Sequence, residues 1–146
     1  MGKKIVLATD HAGFELKEHV KNMLLNKGIE IKDFGAYSYD SQDDYPDFIL
    51  PAAQYIADNN FVGIIFGGSG QGEAIAANRI KGIRAAVFYN GPDEIVQLSK
   101  LHNNANVLSI GARFVNQSRA EEIIDLWLST SFEEGRHQRR IEKLDS

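Results

Sequence analysis

Short apolar runs alternate with segments of helical periodicity along the whole chain. We predict strands at 4–8, 29–34, 62–66, 85–88 and 107–111, and helices at 14–27, 46–58, 72–80, 92–103 and 119–129. Such alternation is typical of a parallel sheet with helices on both faces. Right-handed crossovers favour the flavodoxin-like, Rossmann-like strand order 2-1-3-4-5. We therefore predict a single α/β domain over residues 1–146, built on an open five-stranded parallel sheet.

The composition of the 146-residue chain argues against several classes of function. The absence of cysteine excludes disulfides, thiolate catalysis and cysteine-bound zinc. The formal net charge of −4 argues against general binding of nucleic acid. No apolar run approaches the ~18 residues of a membrane span, and the apolar stretch at the N-terminus is too short for a signal peptide. We expect a cytoplasmic protein that binds neither nucleic acid nor membrane.

A glycine-rich turn follows the third predicted strand and leads into a helix. It covers residues 67–73 and has the sequence Gly-Gly-Ser-Gly-Gln-Gly-Glu. Glycines let a ligand approach the main chain closely, and a helix N-terminus adds a positive partial charge of roughly half a unit. The turn therefore suits an anion, either a phosphate or an oxyanion that develops during a reaction. The alternative interpretation is a tight corner without a ligand.

The known nucleotide-binding patterns fit this turn poorly. No lysine follows the glycines, so the phosphate loop of nucleoside triphosphatases is absent. The spacing is G-x-G-x-G rather than G-x-G-x-x-G, and no acidic residue follows the next predicted strand directly. A dinucleotide site is therefore disfavoured.

Reactive side chains follow two predicted strands. The turn itself carries the carboxylate of Glu73 and the hydroxyl of Ser69, and Asp10 and His11 follow the first strand. Ligands of open parallel sheets bind at the carboxyl ends of strands, near the switch in strand order, which here lies between strands one and three. We expect the two segments to be neighbours. Taken alone, Asp10 and His11 can also be only a turn and a helix cap.

A histidine and three arginines add acid–base and phosphate-binding chemistry. His102 ends a predicted helix, where it is either a C-terminal cap or a proton shuttle. Arg136 and Arg140 project from one helical face, and two guanidinium groups side by side match a phosphate. The alternative for this pair is a solvated basic patch. With Arg113 after the fifth strand, these residue types indicate a small phosphorylated substrate, a carboxylate base, a histidine acid and no cofactor.

Five motifs carry a resemblance to a known family. They are Thr-Asp-His-Ala-Gly-Phe at 9–14, Asp-Tyr-Pro at 44–46, Gly-Ser-Gly-Gln-Gly-Glu-Ala-Ile-Ala-Ala-Asn at 68–78, His-Asn-Asn-Ala-Asn at 102–106 and Gly-Arg-His-Gln-Arg-Arg at 135–140. In these motifs and their order the chain resembles the type B ribose-5-phosphate isomerases of the ribose/galactose isomerase family. The resemblance implies metal-free interconversion of ribose 5-phosphate and ribulose 5-phosphate through a cis-enediolate.

The resemblance also implies roles for individual residues. Many members have a cysteine base at the position of Gly67, and this chain resembles the other subtype, in which a glutamate at the position of Glu73 is the base. By the same resemblance, His102 would open the sugar ring, and Ser69 with the backbone N–H groups of the turn would stabilise the enediolate. Asp10, His11 and Asn103 would bind sugar hydroxyls, and Arg113, Arg136 and Arg140 would hold the phosphate. The implied substrate-binding residues are Asp10, His11, Gly68, Ser69, Gly70, Gln71, Gly72, Asn103, Arg113, Arg136 and Arg140.

The topology predicts that one chain does not form a complete site. The predicted fourth helix runs away from the carboxyl ends of the strands, so His102 should lie at the opposite edge of the sheet from Glu73. A C-terminal helix at about 133–145, which holds Arg136 and Arg140, should lie near His102. We therefore expect a homodimer with composite active sites, either alone or within a tetramer, in which the C-terminal helix contacts the partner subunit.

Two other functions are compatible with the sequence. The substrate can be another sugar phosphate, such as a derivative of allose, galactose or erythrulose, because the length of the pocket is set by loops such as 35–45. The chain can also be a non-catalytic module that binds a phosphorylated metabolite. In that case loss of the Glu73 carboxylate would leave function intact.

Overall fold

The computed structural model describes residues 4–146, which form a parallel sheet and six α-helices. The strands are β1 (Ile5–Thr9), β2 (Ile31–Asp33), β3 (Val62–Gly67), β4 (Ala85–Phe88) and β5 (Val107–Gly111). The helices are α1 (Phe14–Asn26), α2 (Pro46–Asn59), α3 (Gln71–Ala77), α4 (Asp93–Leu101), α5 (Gln117–Ser129) and α6 (Arg136–Glu142). Within this part of the chain no helix combines the length and apolarity needed to cross a bilayer.

The sheet confirms the predicted α/β class but corrects the predicted strand order. All neighbouring strands are parallel, and the order is 2-1-3-5-4 rather than 2-1-3-4-5. β5 is buried along its whole length, whereas β4 is short and mostly half-buried, as suits an edge strand. The free edge of β4 is covered by Asn78, which accepts a hydrogen bond from the Ala85 N–H at 2.8 Å and donates one to the Ala85 carbonyl at 3.1 Å.

Helices cover both faces of the sheet, as predicted. Leu7 and Ile64 face a core with α1, α4 and α5, while Val6 and Ile65 face a second core with α2 and α3. This alternation follows from the two-residue period of a strand. Each face of the central strands is therefore buried under helices.

Most predicted boundaries differ from the observed ones by one to three residues. The largest shifts are at the end of α3, which ends at Ala77 rather than at residue 80, and at both ends of the C-terminal helix. That helix begins at Arg136 because Glu134 and Gly135 have φ values of +68° and +63°, which a right-handed helix does not allow.

The register of β1 and β3 places the two reactive segments side by side. Thr9 is level with Phe66 across the ladder, and the Thr9 hydroxyl donates to the Phe66 carbonyl at 3.0 Å. The next residues along the two strands are Asp10 and Gly67. The predicted neighbourhood of Asp10 and the glycine turn is confirmed.

A buried ion pair anchors the start of the long loop 35–45. The side chain of Lys17 is fully buried, and its ammonium group donates to both Asp33 carboxyl oxygens at 2.7 and 2.8 Å and to the Ala36 carbonyl at 2.8 Å. Burial pushes the pKa of Asp33 up, but hydrogen bonds from Lys17, the Gly35 N–H and Lys21 push it down, and the net pKa is below its ordinary value. This carboxylate therefore stabilises the fold above its unfolded-state pKa, and the stabilisation is lost as pH falls through the lower folded-state pKa.

Two lysines that bond to the same carboxylate should differ in their contribution to stability. We expect Lys17→Met to lower the free energy of unfolding by about 3 kcal/mol, because the largely buried Asp33 then loses its main counter-charge. Lys21→Met is the matched control: its side chain is 30% exposed and its ammonium lies 3.0 Å from Asp33. It should cost about 1 kcal/mol or less. Urea denaturation measures both losses, and equal losses would contradict this account.

Candidate active site

Glu73 is a buried carboxyl group in the first turn of α3. The residue is 4% exposed and follows the glycine turn directly. Burial raises the pKa of the Glu73 carboxyl, its own backbone N–H lowers it, and the nearby Asp10 raises it, with a net increase. A carboxylate whose pKa is raised is a stronger base than an ordinary carboxylate and is suited to accept a proton from carbon.

Gly67 and Gly72 have no Cβ atom, and neighbouring side chains occupy the space that such an atom would need. A Cβ atom on Gly67 would lie 2.0 Å from Cδ of Glu73, so the carboxyl group fills the place of a side chain at this position. A Cβ atom on Gly72 would lie 2.9 Å from Cζ of Tyr45, whose ring therefore packs against the turn. The position of the Glu73 carboxyl thus depends on glycine at 67.

The turn presents hydrogen-bond donors beside this carboxyl. Gly70 has a φ of +80°, which L-residues with a side chain rarely adopt, and its carbonyl accepts from the Ser109 hydroxyl at 2.7 Å. The Ser69 hydroxyl oxygen accepts from the Gln71 N–H at 3.2 Å, which leaves its hydrogen to donate elsewhere. The first N–H groups of a helix have no acceptor within the helix. The turn can therefore stabilise a negatively charged oxygen.

Next to the turn lies a cleft of about 810 Å³ with cationic groups on its wall. His11 and Arg113 line it together with Tyr39 and the start of α5. The Arg113 guanidinium also packs against the turn, because a Cβ atom on Gly68 would lie 3.0 Å from its Cζ. Asp10, as anticipated for a cap, accepts the Ala12 N–H at 3.0 Å. The cleft thus joins the glycine turn at its Arg113 side and suits an anionic group.

A second cluster contains the other predicted acid–base residue. His102 is the C-cap of α4, and its ring stacks on that of His137 with centroids 4.3 Å apart. Glu133 lies 3.8 Å from Nε2 of His102 and 3.4 Å from Nε2 of His137. Burial lowers the pKa of His137, and the neighbouring His102 and Arg136 lower it further, against the effect of Glu133. The exposed Arg140 belongs to the same cationic region.

The two clusters lie at opposite ends of the parallel strands, one at the carboxyl ends and the other at the amino ends. Glu73 follows the carboxyl end of β3, where Gly67 is paired with Gly111, whereas His102 lies just before the amino end of β5. A five-residue strand such as β5 spans roughly 16 Å. Asn103 is exposed and lines a separate cleft beside β4.

The predicted residues therefore fall into two groups. The structure brings together Asp10, His11, Gly68, Ser69, Gly70, Gln71, Gly72, Glu73 and Arg113. It places apart from them, within one chain, His102, Asn103, Arg136 and Arg140.

Three residues of these clusters were not assigned a role from the sequence. Asp43 contacts His11, Tyr45 packs on Gly72, and His137 stacks on His102. Tyr45 and His137 belong to motifs that carry the family resemblance, so a signal for them was present. Asp43 lies outside those motifs, and no spacing rule connects it to His11.

Comparisons with known proteins give one consistent result. The sequence model of the family described as Ribose/Galactose Isomerase matches residues 5–144. Ribose-5-phosphate isomerase B of Mycolicibacterium paratuberculosis is 43% identical over 143 residues, which are 97% of this chain and 89% of that protein.

Solved structures agree in fold over almost the whole chain. A ribose 5-phosphate isomerase from Thermotoga maritima has a TM-score of 0.91 and 49% identity, with 97% of each chain covered. Ribose-5-phosphate isomerase B from Mycoplasma genitalium with bound ribulose-5-phosphate has a TM-score of 0.91 and 39% identity, with 97% of this chain and 93% of the other covered. With a family match from residue 5 to residue 144 and relatives of this similarity, the chain belongs to the ribose/galactose isomerase family.

Proposed function

We propose that this protein is a ribose-5-phosphate isomerase in which Glu73 transfers the proton. The observation that carries the proposal is the buried Glu73 carboxyl, which occupies the side-chain space of Gly67 beside a turn rich in N–H donors. The substrate class is supported by relatives named ribose-5-phosphate isomerase B and by the ribulose-5-phosphate bound in the Mycoplasma genitalium protein.

The proton is transferred between two adjacent carbons of the sugar. Ionised Glu73 removes the proton from C2 of the open-chain aldose, and the electron pair moves into the C1–C2 bond while the aldehyde oxygen becomes negative. The protonated carboxyl then returns the proton to C1, while the proton of the C2 hydroxyl passes to the C1 oxygen, so that C1 becomes a CH2OH group and C2 the ketone carbon of ribulose 5-phosphate. The raised pKa of Glu73 favours proton acceptance from carbon.

The glycine turn stabilises the negative charge of the enediolate. The Ser69 hydroxyl and the backbone N–H groups of Gly70 and Gly72 are the donors that we assign to its oxygens. Their positions are set by the turn before the substrate binds, so little reorganisation is needed during the reaction. Loss of one such donor typically raises the barrier by ~2.7–4 kcal/mol.

The complete site requires a second copy of the chain. His102 is assigned to ring opening, Asn103 and Asp10 to sugar hydroxyls, and Arg136 and Arg140 to the phosphate. His102 and the two arginines are separated from Glu73 of the same chain by the length of the strands. They therefore act on substrate that is bound at Glu73 of another protomer. A two-fold homodimer supplies two equivalent composite sites of this kind.

Removal of the Glu73 charge should abolish turnover while substrate binding is largely kept. We expect Glu73→Gln to lower kcat by about 10³-fold, because a positioned base typically contributes 10²–10⁴-fold. Coupled assays of ribose 5-phosphate isomerisation, with proton–deuterium exchange at C2 followed by NMR, measure the loss. Glu94→Gln is the matched control, since Glu94 is an exposed glutamate in the first turn of α4.

The same exchange measurement identifies the substrate. A panel that includes allose 6-phosphate and galactose 6-phosphate shows which aldose loses its C2 proton fastest. Exchange with none of the sugars would refute an isomerase function, and unchanged exchange in Glu73→Gln would refute the role of this residue.

A methyl group at position 67 should inactivate the enzyme through Glu73. We expect Gly67→Ala to lower kcat by about 10²-fold, because the added Cβ needs the space of the Glu73 carboxyl and displaces it. In the Glu73→Gln background the same change should have a much smaller effect, since the base is already lost. Full additivity in this double-mutant cycle, with native-like circular dichroism for all variants, would contradict the proposed position of the carboxyl.

Two inactive chains should restore activity together if the sites are composite. A Glu73→Ala chain and a His102→Ala chain, each with a different affinity tag, form a mixed dimer with one intact and one doubly altered site. We expect such dimers to have about half of the wild-type activity per dimer. Purified mixed dimers no more active than the parent variants would show that Glu73 and His102 act within one protomer or not at all.

A further inference from the structure

His11 is held by Asp43 through two hydrogen bonds. The backbone N–H of His11 donates to Asp43 Oδ1 at 3.0 Å, and the ring Nδ1 lies 2.7 Å from the same oxygen. These contacts fix both the backbone and the ring of His11 at the start of the 3-10 turn (His11–Gly13). Because Nδ1 is used by Asp43, Nε2 is the ring nitrogen that remains for a ligand in the cleft.

Burial of the Asp43 carboxyl group is energetically unfavourable. Its side chain is 10% exposed, and within residues 4–146 its other carboxyl oxygen, Oδ2, is buried without a hydrogen-bond partner. Burial of a carboxylate that is not fully hydrogen-bonded is unfavourable, so such a group in a native structure needs an explanation. The contact with His11 is the interaction that offsets this cost.

The charged groups around His11 favour its protonated form on balance. The hydrogen bond to Asp43 is the largest influence and raises the pKa of His11, while burial lowers it. Asp10 from the end of β1 raises it further, and Arg113 from the loop after β5 lowers it. The Tyr39 ring meets the imidazole edge-on at 5.9 Å, and Glu15 of α1 lines the same cleft.

We propose that Asp43 is a positioning residue that holds His11 as an imidazolium beside Arg113, so that the two cations bind the phosphate of the substrate at this end of the cleft. The inference rests on the proposed sugar-phosphate substrate. It assigns a role in substrate binding to Asp43, a residue that does not itself contact the substrate. A neutral imidazole would offer no charge to the phosphate and only one N–H, which Asp43 would compete for. The negative charge of Asp43 therefore stabilises the imidazolium form, in which Nε2–H of His11 can donate to a phosphate in the cleft.

The first test is the pH dependence of phosphate affinity in Asp43→Asn. We expect KM for ribose 5-phosphate to rise about tenfold at pH 8, with a much smaller change in kcat. Without the Asp43 charge His11 is neutral at this pH, and the charged hydrogen bond from its Nε2–H to the phosphate is lost. The ratio of the variant KM to the wild-type KM should approach one near pH 5.5, where His11 is protonated in both proteins. Because both proteins are measured with the same substrate, the ratio cancels the effect that titration of the substrate phosphate has on KM. Asp40→Asn is the matched control, since Asp40 is an exposed carboxylate of the same loop.

The second test asks whether Asp43 acts through His11. In a His11→Gln background, Asp43→Asn should add little to the increase in KM, because the group that it positions is already absent. A KM ratio that is the same at every pH, or full additivity of the two changes, would overturn the proposal in favour of a structural role for Asp43.

A third measurement is independent of catalysis and of the folding of any variant. NMR titration of the His11 ring in the wild-type protein should give a pKa above the ordinary value of 6.5, and inorganic phosphate should shift the same ring signals. A His11 pKa at or below 6.5, or no response to phosphate, would overturn the proposal. If instead the ring titrates as expected and binds phosphate while ribose 5-phosphate is not isomerised, the proposed function fails and the phosphate site stands.

Discussion

The mutual exclusion between a side chain at position 67 and the carboxyl group of Glu73 is the constraint on which the site depends. One end of β3 has room for a single reactive group, and here a glycine leaves that room to a glutamate from the following helix. A cysteine at 67 and Glu73 in its present position therefore cannot coexist without rearrangement. This gives a steric reason for the two subtypes that the family resemblance implies, in which the proposed base would come either from the strand or from the helix.

The parallel ladder determines which groups meet that carboxyl. β1 and β3 end at the same edge, so Asp10 lies close enough to raise the pKa of Glu73. β5 is the other neighbour of β3, and it brings Arg113 onto Gly68. With the predicted order, β4 rather than β5 would have been next to β3 and Arg113 one strand further away. The observed order thus connects the proposed proton-transfer centre directly to Arg113, the cation proposed to bind the phosphate.

The sequence predicted the elements well because apolar periodicity reports burial, and burial here is nearly complete on both faces of β1, β3 and β5. The strand order was harder, since periodicity reports how far each strand is buried but not which strands are neighbours, and β4 differs from β5 only in being shorter and mostly half-buried. The turn and its carboxylate were recognisable as local motifs. Asp43 was not, because the role proposed for it depends on a contact with His11 across 32 positions of the chain.

The unpaired cations give the last argument for assembly. Within residues 4–146, Arg113, Arg136 and Arg140 are exposed and form no ion pair with a carboxylate. Arginines that serve solubility alone need no common target, whereas these lie in two groups, each next to a histidine: His11 in one and His137 in the other. A phosphate bound between the groups would satisfy both, and the sheet keeps them apart within one chain. Substrate binding and association of two chains should therefore favour each other, since the same anion offsets the repulsion between the cations on both.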